Sequence, residues 1–417
     1  MSSYPERVQD GQTAPPESIV ENIRVEAADD WLRVTRPVYW DVSKNAWVLT
    51  RHSDIALVMR SSKLFVEAPF SSPGSGDGES EGLLANILGG WLVFKNAPQH
   101  TRLRDVLQAA FMSRPIAAMR PGIRAITNET LDKLGERTAV ELIEEFAVPI
   151  PATVISDLCG ARREDAHKIL HWAVELPKAV LHGQKEKSES ELRACVEFFR
   201  QVIKDQREHP GENIASVMIK GGKRGDIFTD DEIISTLILI LIAGHETTAI
   251  TLANGIYALL RNPSQLALLQ QNPQLIPNAV EEFMRFDGPV SSLIRIAHED
   301  MNVDGQHIKK NDRLQLCIYT SGHDPEVFKN TDFDITRQKN NHMAFGKGIH
   351  LCLGAPLARL MASVALEVLL ERYTNLQLQP EALSWTKSDN PRQKKCLPVF
   401  MQPINLVRTH VSSIKNA

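Results

Sequence analysis

The sequence predicts a mainly α-helical protein with small β elements, on three observations. From Gln99 onward most segments repeat apolar residues at helical spacing, and helix follows helix between Ile116 and Lys220. One segment, opening at Thr229 and running to about Leu260, is long, apolar and capped at its start. Strand patterns are short. Val38–Trp40 and Trp47–Thr50 flank the turn-prone D-V-S-K-N, a strand beginning at Gly288 ends in Arg295, and the C-terminal stretch mixes strand and turn.

Taken in order, residues 1–30 are polar and proline-bearing and read as a loosely held arm before a body spanning 31–417. The hairpin is followed by a short helix, His52–Met59. Pro69–Gly82 is rich in Ser, Gly and acids; alone it has linker composition, but no second hydrophobic domain precedes it, so a surface loop is expected. Gln99–Phe111 carries Leu103, Val106, Leu107 and Phe111 at helical spacing, with His100 and Arg104 together on another face. Such a pair suits a carboxylate-bearing ligand, although a solvated helix face is the ordinary alternative.

Thr229 and Glu232 form the capping box of the long segment. Ile233–Ile242 is apolar nearly all round and must be buried, yet A-G-H-E-T-T (Ala243–Thr248) interrupts it. Glycine there costs about 1 kcal/mol against alanine, and a buried glutamate costs several unless paired. Local breaches of this kind collect at functional sites; a simple helix kink is the competing reading. Glu282 and Arg285 lie three apart on a helix, by itself a weak signal. The stretch F-G-K-G-I-H-L-C-L-G-A (Phe345–Ala355) then sets Cys352 between Gly348 and Gly354, ahead of a helical run from Ala355 to Tyr373. A thiol at a helix N-terminus faces unpaired N–H groups, which favour its thiolate, while glycines let backbone approach a flat ligand. A lone cysteine would more simply be a buried core thiol.

Composition narrows the class. The 417 residues are 43% hydrophobic and 24% charged with net charge −4, so no basic nucleic-acid face is expected. The start M-S-S-Y-P-E-R-V-Q-D-G-Q has no apolar core, so neither signal peptide nor membrane anchor is expected. Five scattered cysteines without C-x-x-C fit a reducing cytoplasm rather than disulfides or structural zinc. Length alone suggests two or three domains.

Five motifs in order make the chain resemble the cytochrome P450 family: H-x-x-x-R at His100–Arg104, A-G-x-E-T-T at Ala243–Thr248, E-x-x-R at Glu282–Arg285, F-D-x-x-R at Phe333–Arg337, and F-x-x-G-x-x-x-C-x-G at Phe345–Gly354. The resemblance covers nearly everything after residue 30. It implies one large, mostly α-helical domain with small β-sheets, with haem b held between the long I helix and the L helix after Cys352. By that match Cys352 is the axial thiolate; His100 and Arg104 grip one propionate, and Arg295 and His350 the other. Ala243, Phe345 and Gly354 lie against the macrocycle. Glu246 and Thr247 are the acid–alcohol pair that delivers protons to bound dioxygen, and Glu282, Arg285 and Arg337 are a structural network. Pocket residues would be Leu239, Ile242, Val290, Leu293, Ile294 and Leu397, with Leu397–Phe400 as an apolar lip. The Pro69–Gly82 loop would close over substrate, and Trp172–Ser190 would join two lid helices. Two departures stand out: Asn96 where the family commonly has Asp, and His323 where an Arg is frequent.

The resemblance implies a soluble, cytoplasmic, bacterial-type haem-thiolate monooxygenase that inserts one atom of O₂ into a hydrophobic small molecule. No G-x-G-x-x-G follows a strand, so electrons are expected from separate proteins, a ferredoxin and an NAD(P)H-dependent reductase docking near Lys347. The long Ser/Gly loop favours natural-product tailoring of a bulky polyketide, terpenoid or steroid. A peroxygenase using H₂O₂ would lack the acid–alcohol pair, a haem sensor would not need it, and a helical interaction module would bind no haem.

Overall fold

Long apolar helices leave room for only small sheets, and the computed structural model of the chain is built that way. It describes residues 32–66, 79–181, 185–222, 225–379, 384–389 and 392–404. The predicted arm and most of the Ser/Gly loop lie outside these residues. The last part of that predicted loop is helical instead: a helix spans Glu79–Gly90. Ile87 and Leu88 are buried in it, so an apolar stripe outweighs the loop-like composition.

Five helices frame the site: α1 (Gln99–Ala110), α2 (Pro149–Cys159), α3 (Asp230–Arg261), α4 (Ile276–Asp287) and α5 (Ala355–Arg372). The helix α3 starts where its capping box predicts. The Thr229 hydroxyl accepts from the Glu232 N–H at 3.2 Å, and the Glu232 carboxylate accepts from the Thr229 N–H at 2.9 Å. Arg102 of α1 donates to the same carboxylate at 2.5 Å, fastening α1 to the start of α3. Ile233, Ile234, Leu237, Leu241, Leu252 and Ile256 are essentially fully buried and form the middle of the main core.

Through Ala243–Thr248 the helix runs on unbroken. Its threonines bond back one turn: Thr247 to the Ala243 carbonyl at 2.8 Å, Thr248 to Gly244 at 3.0 Å and Thr251 to Thr247 at 2.8 Å. Gly244 is explained by packing, since a Cβ there would stand 2.6 Å from Cδ1 of Ile155 on α2. Of the described residues, α3 is the one helix long and apolar enough to cross a membrane, and two-thirds of its most apolar stretch is buried in the protein. It is a core helix.

The main sheet takes β1 (Val38–Asp41), β2 (Ala46–Leu49), β3 (Leu64–Phe65), β4 (Ser292–Ala297) and β5 (Arg313–Cys317) in the order β1-β2-β5-β4-β3. Only the β2–β5 pair is parallel. A second, smaller core lies beneath it around Leu49, Ile55, Val58, Leu314 and Leu316. In a separate three-stranded sheet, Pro398–Pro403 pairs with both Ala139–Glu141 and Tyr373–Leu378.

Candidate active site

The loop before α5 is fixed by its backbone. The Cys352 N–H donates to the Phe345 carbonyl at 2.8 Å, and the Gly346 N–H donates to Met343 at 2.8 Å. Gly348 has φ +70°, and a Cβ there would fall 2.4 Å from the Met59 carbonyl, so this glycine serves the turn and its packing. Gly354 differs. Its φ is −79° and a Cβ would meet no protein atom within 4 Å, so neither conformation nor protein packing demands glycine. A flat ligand lying against the loop would.

Cys352 is solvent-accessible, although enough protein lies around its sulfur to desolvate it. Burial pushes the thiol up, and the Gly354 and Ala355 amides together with Arg104 and Arg359 pull it back without overcoming burial. The amides at the helix end favour the thiolate as expected, and desolvation opposes them. Coordination to a metal would deprotonate the thiol outright.

Four donors from three parts of the chain converge beside this loop. His100 is buried, its Nε2 has no hydrogen-bond partner, and its ring meets that of His350 edge-on at 4.5 Å. Burial, then His100, Arg295 and Arg104 drive the His350 pKa down to about 4, so the other three lie within electrostatic reach of His350. Burial also lowers the Arg104 and Arg295 guanidinium pKa values. Among the described residues no carboxylate pairs with any of the four. Arg295 donates to the neighbouring Ile294 carbonyl at 2.7 Å.

On α3 one face opens while the rest is buried. Ala243 is exposed, and Leu239, Ile242, Glu246 and Thr247 are half-buried at helical spacing, whereas Leu241, His245 and Thr248 are buried on the other side. Burial holds His245 near a pKa of about 4, and it stays neutral in the core. Val290 and Leu293 are half-buried. Two pocket expectations are corrected. Adjacent strand residues face opposite ways, so Leu293 shares a face with Arg295 while Ile294, 40% exposed, stands on the other. Leu397 is fully buried in the main core with its carbonyl accepting from Leu142, so it is no lip residue.

The E-x-x-R pair is buried completely. Arg285 grips Glu282 through two bonds of 2.7 and 2.8 Å, Arg337 adds one at 3.0 Å, and Asn340 and the Asp334 N–H complete the carboxylate at 3.0 and 2.9 Å. The remaining Arg285 donors reach the carbonyls of Gly322, Thr331 and Asp332. These bonds tie α4 to the chain leading into the cysteine loop.

Asn96 is positioned by its amide. It donates to the Val66 carbonyl at 2.8 Å and accepts from the Val66 N–H at 3.1 Å, a two-way match an ionised Asp could not make. Its own carbonyl accepts the His100 N–H at 2.9 Å. His323, the other departure, meets the Tyr319 carbonyl at 3.1 Å. Sequence reading passed over Glu281, His342 and Arg359, which meet beside Phe345. The partners lie 61 to 78 positions apart, so only the proximity of His342 to Phe345 pointed that way.

The accessible Cys352 thiol, the open side of Gly354 and four donors with no carboxylate partner among the described residues fit a flat dicarboxylate with a metal at its centre. The cytochrome P450 family profile matches residues 164–397. Cytochrome P450 CYP107DY1 of Priestia megaterium is 34% identical over 85% of this chain and 89% of its own length. The biotin biosynthesis cytochrome P450 of Bacillus subtilis is 33% identical over 84% and 89%. The structure of P450BioI, in complex with an acyl carrier protein ligated to hexadec-9Z-enoic acid, superposes with a TM-score of 0.84 at 31% identity, covering 92% of this chain and 100% of that one. The chain belongs to the cytochrome P450 family. It has the family's single-domain fold and is a haem b monooxygenase of bacterial type.

Proposed function

We propose that this enzyme oxidises a hydrophobic small molecule in a biosynthetic tailoring step, as a soluble cytoplasmic protein fed electrons by a ferredoxin and its NAD(P)H-dependent reductase. The observation that carries the site assignment is the convergence of His100, Arg104, Arg295 and His350, without a protein carboxylate, beside the Cys352 loop. Cys352 would hold the iron, and the four donors would neutralise two propionates that could not otherwise leave water. Ala243, Phe345 and Gly354 would border the ring. When bound, haem b supplies activation of O₂, giving one oxygen atom to a C–H or C=C bond and the other to water at the expense of two electrons and two protons.

The proton supply belongs to this chain. Glu246 and Thr247 stand on the open face of α3, and donating to the Ala243 carbonyl fixes the Thr247 hydroxyl in place. Its lone pairs remain able to accept from the ligand side or from Glu246. Leu239 and Ile242 make the same face of α3 apolar, and Val290 and Leu293 would add to an apolar pocket that selects a hydrophobic substrate and keeps bulk water away. Relatives named for biotin and polyketide biosynthesis support a biosynthetic role. Lys347, on the loop ahead of Cys352, marks the side where the electron donor would dock.

The test is turnover under ¹⁸O₂ with ferredoxin, reductase and NADPH, using a substrate found by a spectral ligand-shift screen of hydrophobic compounds. One labelled oxygen in the product, with no turnover when the reductase is left out, is expected. Equal turnover from H₂O₂ alone would replace this reading with the peroxygenase one.

A further inference from the structure

Beside Phe345 lies a charge pair that belongs neither to the four-donor cluster nor to the Glu282 network. Arg359, on the second turn of α5, clasps Glu281 of α4 through two bonds, Nε to Oε1 at 2.5 Å and Nη2 to Oε2 at 2.9 Å. His342 donates from Nε2 to Oε2 of Glu281 at 3.1 Å, while its Nδ1 accepts the Ala344 N–H at 3.2 Å. That second bond fixes a neutral imidazole, so the charged members are one cation and one anion. The Arg359 guanidinium lies 4.3 Å from the centre of the Phe345 ring, and the Phe345 carbonyl accepts the Cys352 N–H.

We propose that Arg359 and Glu281 are an opposed pair of tuning residues that sets how strongly the Cys352 sulfur donates electron density to the haem iron. The proposal rests on Cys352 as the iron ligand. A cation near the thiolate stabilises negative charge there and so favours the reduced, more electron-rich state of the iron site. Glu281 holds the guanidinium over Phe345 and offsets part of its field. Arg359 is 41% exposed on its side chain, which screens the effect to a modest one. A pair that only stapled α4 to α5 would need no cation stacked on the ring that covers the cysteine loop.

The test is the reduction potential of the purified, substrate-free holoenzyme, measured by dye-mediated redox titration, with the reduced carbon-monoxide spectrum as control for thiolate ligation. Arg359→Gln should lower the potential and Glu281→Gln should raise it by a smaller shift. Arg359→Lys should leave it near wild type, and the double Gln variant should return toward wild type. With the thiolate band retained, shifts of the same sign, or none, would overturn the proposal and leave a structural staple. If Arg359→Gln fails to load haem, Glu281→Gln decides: an upward shift supports the proposal and an unchanged potential overturns it. A wild-type protein lacking the thiolate band would instead overturn the ligand assignment, and the tuning role with it.

Discussion

Two groups of like chemistry, the Glu282 network and the His350 cluster, behave in opposite ways. Around Glu282, two guanidiniums share one carboxylate, all three Arg285 nitrogens find protein acceptors, and the side chains of the Glu282–Arg285 pair have no exposure at all. Around His350, burial lowers the protonation of two guanidiniums and two imidazoles, the neighbouring cations lower the two imidazoles further, and among the described residues no carboxylate answers them. Desolvated charge must be compensated, so a cluster closed within the protein is structural and an open one awaits an anion. The contrast marks the open cluster as the candidate binding site without reference to any relative.

Removing one partner from the closed cluster should do the most damage. Glu282→Leu strands Arg285 and Arg337 in the core at a cost of about 3–5 kcal/mol. Thermal melting should show a collapse in stability together with lost haem; a folded, haem-loaded variant would break the comparison. The open cluster should respond differently. Arg104→Ala should leave the protein folded while haem transfer to apomyoglobin speeds up about 10–100-fold, the equivalent of one charge-assisted hydrogen bond of about 1.5–3 kcal/mol. Unchanged transfer would mean that the four donors answer some other anion.

A smaller effect is expected at Thr247, where no buried charge is involved. Thr247→Ala should keep its haem spectrum but divert reducing equivalents to peroxide, cutting product per NADPH by roughly tenfold. Fully coupled turnover would remove the proton relay. Smallest is an acid response at Glu281. Burial pushes its pKa up, but His342 and Arg359 more than reverse this and bring it from the ordinary 4.5 down to about 2. A carboxyl lowered in the folded state stabilises above its unfolded pKa and loses that contribution as pH falls from 4.5 to 2. Melting temperature should therefore drop across that window by the equivalent of about 1–2 kcal/mol once partial exposure is allowed for, and Glu281→Gln should flatten the drop.

Local chemistry made much of this visible in the sequence. The capping box at Thr229 needs residues three apart, and it forms as read. The cysteine loop and the E-x-x-R pair are likewise contiguous, and they fold as their spacing suggests. What was hidden depends on tertiary approach. Gly244 reads as a helix breach until Ile155 is seen against it. Asn96 reads as a departure until Val66 supplies both a donor and an acceptor. The Arg359–Glu281 pair joins helices whose proximity no local pattern reports. Misreadings share a cause as well: Leu397 and Ile294 are apolar in either setting, and only burial and strand parity tell core or surface from pocket wall.

The central claim is that Cys352 lies against a haem iron whose propionates the open cluster receives. The most direct measurement is the absorbance of the purified protein reduced with dithionite and exposed to carbon monoxide. A strongly red-shifted Soret band, abolished in Cys352→Ala, is the predicted result. A band at the position of histidine-ligated haem, or no Soret absorption at all, would contradict it.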